Sequence, residues 1–224
     1  MIAKKKPLYR CFCVLFMILL PSLAFAESDP ADDLFEFPLN PESEASFDRI
    51  CTSMSADYIT GDFEQIKKSV KSGRALVSKG NIIIDKKKGI VIRTSYPVSS
   101  VIFTGSDFVI QTNSSGKKKK FDAAGNGAFL SASAMFQAIF TGNAAALKEN
   151  YDIFYKTNGD SWLVGIKAKG TTAVSFFSSV LLKGSRSIDT LVFYALNGDT
   201  ITYSISNIDF PEFLNESELV YFEQ

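Results

Sequence analysis

Four apolar triplets, Ile82-Ile83-Ile84, Ile90-Val91-Ile92, Val101-Ile102-Phe103 and Phe108-Val109-Ile110, follow one another at short intervals, each bounded by turn-forming or charged residues. Successive side chains of a strand point to opposite faces, so each triplet is oily on both. Short strands joined by tight turns pair antiparallel, and an antiparallel sheet normally leaves one polar face to water. This sheet therefore needs a second cover, supplied either by the chain's own helices or by an apolar ligand.

The first 26 residues read as a secretory signal. Lys4, Lys5, Lys6 and Arg10 precede the apolar run from Cys11 to Leu20, and Pro21 leads to the small-residue site Ala24-Phe25-Ala26, with cleavage expected after Ala26. A retained anchor fits less well, because the uninterrupted apolar run is too short to cross a bilayer. The remaining chain is expected to be soluble outside the cytoplasm. It would carry 20 basic against 24 acidic residues, a net charge of about −4 that argues against nucleic acid as a partner. Cys11 and Cys13 leave with the signal, so Cys51 has no internal disulfide partner and the core alone must hold the fold.

Residues 27–39 are acidic, carry Pro30 and Pro38, and read as a loose arm whose Leu34, Phe35 and Phe37 can dock on the body. Residues 40–224 read as one domain. Asn40-Pro41 predicts a helix cap followed by proline in the first turn, and Phe47, Ile50, Cys51 and Met54 recur at helical spacing. Strands are predicted at 59–66, 75–85, 90–96, 101–104, 108–112, 151–157, 161–168, 174–182, 188–196 and 200–206. Between the fifth and sixth of these, residues 128–146 break the rhythm with a strongly apolar helix ended by Gly142, after which residues 143–149 offer a second helical turn. The coarse expectation is about ten antiparallel strands in one large curved sheet, interrupted once by helices.

The chain contains no histidine. The usual zinc sites and the Ser/His and Cys/His nucleophile pairs therefore cannot be built, so no catalytic residue, metal site or cofactor is expected. The acidic residues of the arm and first helix read as solvated surface. The runs Lys86–Lys88 and Lys117–Lys120 fall at opposite ends of an up-and-down meander. They read as solvated turn ends that discourage edge-to-edge pairing rather than as one basic patch.

Several spacings resemble the LolA-type periplasmic lipoprotein carriers. Phe63-Glu64-Gln65 is similar to that family's Phe-x-Gln on an early strand, with Gly80 opening the next strand and Pro97 closing the following one. Phe136-Gln137-Ala138-Ile139-Phe140-Thr141-Gly142 resembles its helix end, and 162–166 and 191–205 resemble its later strands. The match runs over about residues 58–208. The resemblance implies a mainly β (α+β) fold, a strongly curved antiparallel sheet forming an incomplete β-barrel with helices as a lid on the concave side. It also implies a non-enzymatic monomer that takes acylated lipoproteins from an inner-membrane ABC transporter to an outer-membrane acceptor. On that reading the apolar cavity is lined by Ile82, Ile84, Val91, Ile92, Phe103, Phe108 and Ile110, and the lid carries Phe129, Leu130, Met135, Phe136, Ile139 and Phe140. Lys86 stands where the family has an arginine that holds the lid closed through helix backbone, which makes it a gate candidate lacking arginine's planar fork of donors. A carrier or sensor of another lipid or glycolipid in the cell envelope would use the same fold. A structural or adhesion domain of the envelope would have a permanently filled core.

Overall fold

The architecture follows from where each chain segment can hide its apolar side. The computed structural model describes residues 31–122, 127–169 and 177–223, so the expected signal lies outside the described residues. Helix α1 (Ala31–Leu34) is a single turn in the arm, and α2 (Pro41–Met54) is the first full helix. Asn40 caps α2 through hydrogen bonds from the Glu42 and Ser43 amides to its side chain, and Ser43 reaches back to the Asn40 amide. That reciprocal cap fixes the start of the helix, and the apolar stripe read from the sequence buries Phe47, Cys51 and Met54.

The strands are β1 (Tyr58–Lys68), β2 (Ala75–Asp85), β3 (Gly89–Tyr96), β4 (Ser100–Thr104), β5 (Phe108–Thr112), β6 (Lys118–Asp122), β7 (Tyr151–Asn158), β8 (Ser161–Ala168), β9 (Phe177–Gly184), β10 (Ile188–Ala195) and β11 (Thr200–Asp209). They form one antiparallel sheet in the order β6-β5-β4-β3-β2-β1-β11-β10-β9-β8-β7. Two meanders thus meet where β1 pairs with β11, and β6 and β7 remain as edges, so the curved sheet is not closed into a barrel. Helices α3 (Gly127–Phe140) and α4 (Ala144–Asn150) connect the halves. No described helix is long and apolar enough to cross a membrane.

β6 is one strand more than expected on this half. The run Lys118-Lys119-Lys120 has no apolar alternation, and its strand is held by backbone pairing with β5. The lysines still find aromatic surface: Lys119 Nζ lies 4.6 Å from the centre of the Phe121 ring and Lys120 Nζ 5.0 Å from that of Phe108. A charged edge of this kind resists pairing with another chain.

Strand register decides which face each triplet residue serves. Ile59 lies opposite Ile84 and Ile84 opposite Ile90, while Ile82 lies opposite Ile92. This inner face meets α2, α3 and α4 in one apolar core that also takes Ile153, Trp162, Val164, Ile166, Leu182 and Phe193 from the second half. The alternate residues form a ladder on the outer face, Ile83 to Val91 to Phe103 to Ile110. Leu214 and Phe222 of the C-terminal segment cover that ladder. This segment contains α5 (Glu216–Leu219) and a 3-10 turn at Val220–Phe222.

The arm covers the outer face of the other half. Leu34 is fully buried against Leu163 and Leu181, and Phe35 meets Phe154 edge-to-face at 5.2 Å. Gly165 makes room for this docking, since a Cβ there would come within 2.8 Å of the Phe35 ring. Lys156 pairs with Asp33, and Pro38 bridges Phe154. Each oily outer patch thus has its own cover, the arm on β8 and β9 and the C-terminal segment on β2–β5.

Candidate functional site

The helical cover of the inner face is where a mobile element could expose apolar surface. α3 lays Met135, Ile139 and Phe140 into the core, and its Phe136 stacks on Phe193 of β10 with centroids 4.8 Å apart and planes 21° apart. Phe193 in turn meets Phe177 at 4.7 Å and Tyr203 at 6.1 Å, and Tyr203 meets Phe63 at 5.6 Å. Five aromatic rings therefore run from α3 across β10, β9, β11 and β1. The Tyr203 hydroxyl accepts from Gln65 Nε2, and burial pushes its pKa up, so it stays a neutral part of the apolar wall.

At the C-terminal end of α3 the cover is fastened by close packing. Gly142 has φ +62°, and a Cβ on it would lie 1.9 Å from the Cys51 carbonyl oxygen, so α2 and the α3–α4 turn touch backbone to backbone. Burial, with a smaller contribution from Asp48, pushes the Cys51 thiol up to about 12, which keeps it a neutral core group. α4 is pinned to α2 by Lys148, whose Nζ lies 2.7 Å from Glu44 and 2.9 Å from Asp48. Those hydrogen bonds push the Lys148 pKa up.

A narrow apolar slot opens beside this junction. It is lined by Met54, Ile59, Ile82, Phe140, Ser187, Ile188, Ile205, Ile208 and Phe210, and the space inside it is only about 20 Å³, room for little more than one water. The slot is the seam between the helical cover and the sheet. No charged side chain lines it, so its chemistry suits an alkyl chain and nothing hydrophilic. Among the described residues no group of three or more Cys, Asp or Glu could hold a metal ion.

The expected lining residues divide between two faces. Ile82, Ile84 and Ile92 lie on the inner face under the helices. Val91, Phe103, Phe108 and Ile110 lie on the outer face under Leu214 and Phe222, because each triplet alternates and the register sends its middle or flanking residues outward. Of the expected lid residues, Met135, Phe136, Ile139 and Phe140 pack on the inner core, while the side chains of Phe129 and Leu130 lie outside the described residues. Lys86 Nζ donates to Ser55 Oγ at 3.0 Å, tying the β2–β3 turn to the C-terminal cap of α2 rather than to α3.

The slot also takes Ile188, Ile205, Ile208 and Phe210, and Phe136 of α3 rests on Phe193, which Phe177 and Tyr203 flank, none of them among the expected lining residues. The alternation of 200–205 marks one apolar face, but only the long-range pairing of β1 with β11 shows that this face joins that of β1–β3.

A half-open antiparallel sheet with a helical cover over its apolar inner face defines the class of protein. No family model matches the sequence, and no curated protein matches it. Solved structures similar to the chain include a DUF1329 family protein from Desulfovibrio piger, at TM-score 0.48 and 9% identity, covering 82% of this chain and 97% of that one. A LolA superfamily protein from Nitrosomonas europaea is similar at TM-score 0.42 and 7% identity, covering 76% and 94%. A domain described as an outer-membrane lipoprotein-sorting protein from Vibrio parahaemolyticus is similar at TM-score 0.43 and 10% identity, covering 82% and 100%.

Proposed function

We propose that the protein is a non-enzymatic carrier in the periplasm that takes the acyl chains of lipoproteins between α3 and the inner face of the sheet. The observation that carries this reading is the apolar slot at the seam of cover and sheet. On this reading an acyl chain enters along that seam as α3 moves aside from the sheet. The slot is too narrow to hold a whole tail with α3 in place, so binding requires α3 to leave Phe193.

The energetics suit a carrier. Burying a tail of about 15 methylenes gains on the order of 12 kcal/mol at about 0.8 kcal/mol each. An empty open cavity would be a large exposed apolar patch and an aggregation hazard, so covering it with α3 protects the unloaded protein. The same cover lowers net affinity, because the guest must replace the contacts of Phe136 and its neighbours. A carrier needs that reduction in order to release.

The test is uptake of a fluorescent fatty acid by the purified protein, with mass spectrometry of whatever co-purifies. Saturable uptake displaced by an acylated lipoprotein supports the reading, and an acylated protein as the co-purified species identifies the cargo. Absence of uptake refutes it, and a co-purified free lipid or glycolipid refutes lipoprotein as cargo.

A further inference from the structure

Exposed apolar side chains occur beyond both ends of the sheet, Phe210 and Phe213 following β11 at one end and a larger group gathering at the other. The β1–β2, β3–β4, β5–β6 and β10–β11 turns lie together there. Val70, Leu76, Tyr96, Val98 and Leu196 are each more than half exposed at this end. The β1–β2 and β10–β11 tips touch: the Val70 amide donates to the Asp199 carboxylate at 3.0 Å, and Val70 Cγ2 lies 3.3 Å from where a Gly198 Cβ would stand. Exposed apolar tips held in a fixed arrangement on a water-facing rim call for a partner.

Charge selects the partner. Between residues 67 and 76 the chain carries Lys67, Lys68, Lys71 and Arg74 and no acidic residue, Lys117 and Lys118 join them at the β5–β6 turn, and Asp199 on the adjoining tip is taken up by the Val70 amide. The first four are exposed, and none of them is ion-paired among the described residues. The opposite end mixes Lys86, Lys87 and Lys88 with Asp85, Asp107 and Asp160, and Asp85 caps the amides of Lys87 and Lys88. Basic side chains around protruding apolar ones, on a chain expected to be acidic overall after signal removal, match an anionic lipid surface.

The tips also continue the inner face. Phe193 lies opposite Ile201, Ile201 opposite Lys67, and Lys67 opposite Leu76, so one row runs from the ring beneath the α3 cover to the exposed rim. We propose that this end of the sheet docks on an anionic phospholipid membrane, with Val70, Leu76, Val98 and Leu196 entering the headgroup layer and the surrounding basic residues meeting lipid phosphates. Docked in this way, the protein would present the row leading to α3 directly to the bilayer. The docking itself does not depend on acyl-chain uptake.

The test uses protein purified from periplasmic extract and co-sedimented with vesicles of phosphatidylethanolamine and phosphatidylglycerol, or of phosphatidylcholine alone. Binding is expected to the anionic vesicles, to weaken as salt rises, and to be absent with phosphatidylcholine. K71Q/R74Q is expected to weaken it on the order of thirty-fold, at the usual contribution of a basic residue near an anionic surface. V70S/L196S should weaken it as well, and K87Q/K88Q at the other end should leave it unchanged. All six side chains are exposed, and unchanged thermal melts will verify folding. Absence of binding, equal binding to neutral vesicles, or equal loss in K87Q/K88Q overturns the proposal, including in favour of an acidic protein partner. Fatty-acid uptake is measured on the same samples: its absence with vesicle binding intact refutes the carrier reading alone, and its retention with vesicle binding absent refutes the docking alone.

Discussion

Replacing Phe136 by alanine should lower the protein's stability and raise its affinity for a fatty acid. Phe136 touches Phe193 of the sheet and Phe140 of its own helix, with centroids 4.8 and 6.2 Å apart. Only the first contact is broken when α3 lifts, since Phe136 and Phe140 are one turn apart and move together. The stack on Phe193 and the partial burial it brings are together worth about 2 kcal/mol, from an aromatic-pair contribution of about 1 kcal/mol and a similar amount for half-buried ring surface. The closed state loses that amount relative to the open one. Where the guest binds only the open state, apparent affinity scales with the open fraction, so a shift of about 2 kcal/mol tightens binding roughly thirty-fold. Urea unfolding measures the stability loss, expected at about 2–3 kcal/mol, and titration with a fluorescent fatty acid measures affinity on the same sample. Lower stability with unchanged or weaker fatty-acid binding would refute the reasoning and make α3 an ordinary core helix.

Other expectations follow from individual contacts. Gly142→Ala should cost several kcal/mol, because its Cβ would strike the Cys51 carbonyl, whereas Gly159→Ala, at a similar φ of +59° but with open space around it, should cost only about 1 kcal/mol; thermal melts distinguish the two. Cys51 has its thiol pKa raised from 9.0 to about 12 in the folded protein, so its contribution to stability is complete below pH 9 and is lost as pH rises from there toward about 12. Cys51→Ala should remove one proton from the pH dependence of unfolding in that window, and an unchanged slope would contradict the burial of the thiol. Truncation after Phe210 removes Leu214 and Phe222 and uncovers the Ile83–Val91–Phe103–Ile110 ladder, with an expected loss of about 3–5 kcal/mol and concentration-dependent aggregation seen by light scattering. Lys86→Leu removes an exposed hydrogen bond to Ser55 and should change stability by less than about 1 kcal/mol; fatty-acid affinity equal to that of the parent would show that Lys86 does not gate α3.

Much of the sheet was readable because its signals are local. The turns Asn158-Gly159-Asp160 and Asn197-Gly198-Asp199 use glycines at φ +59° and +84°, and each falls between strands where hairpin chemistry requires it. Triplets oily on both faces announced two covers, and both exist. What local pattern could not tell was which residue faces which cover. That depends on register, and a shift of one residue would exchange Ile82 with Ile83. Nor did pattern foretell the outer covers fully: the arm's docking was expected from Leu34, Phe35 and Phe37, but the C-terminal segment scatters its apolar residues among acids, and only the structure shows that Leu214, Leu219, Tyr221 and Phe222 meet the ladder while Phe213 and Val220 stay exposed. β6 was hidden because an edge strand of lysines is held by backbone pairing, to which side-chain periodicity is blind. The aromatic path from Phe136 to Phe63 joins β10, β11 and β1, which come together only through the pairing of the chain's first and last strands.

The central claim is that α3 is a cover that an acyl chain displaces. Spin labels at Ala134→Cys, exposed on α3, and Asp189→Cys, exposed on β10, in a Cys51→Ala background report their separation by pulsed electron resonance. Addition of a long-chain fatty acid should lengthen that distance and restore it on removal. A fatty acid that binds with the distance unchanged would contradict the account.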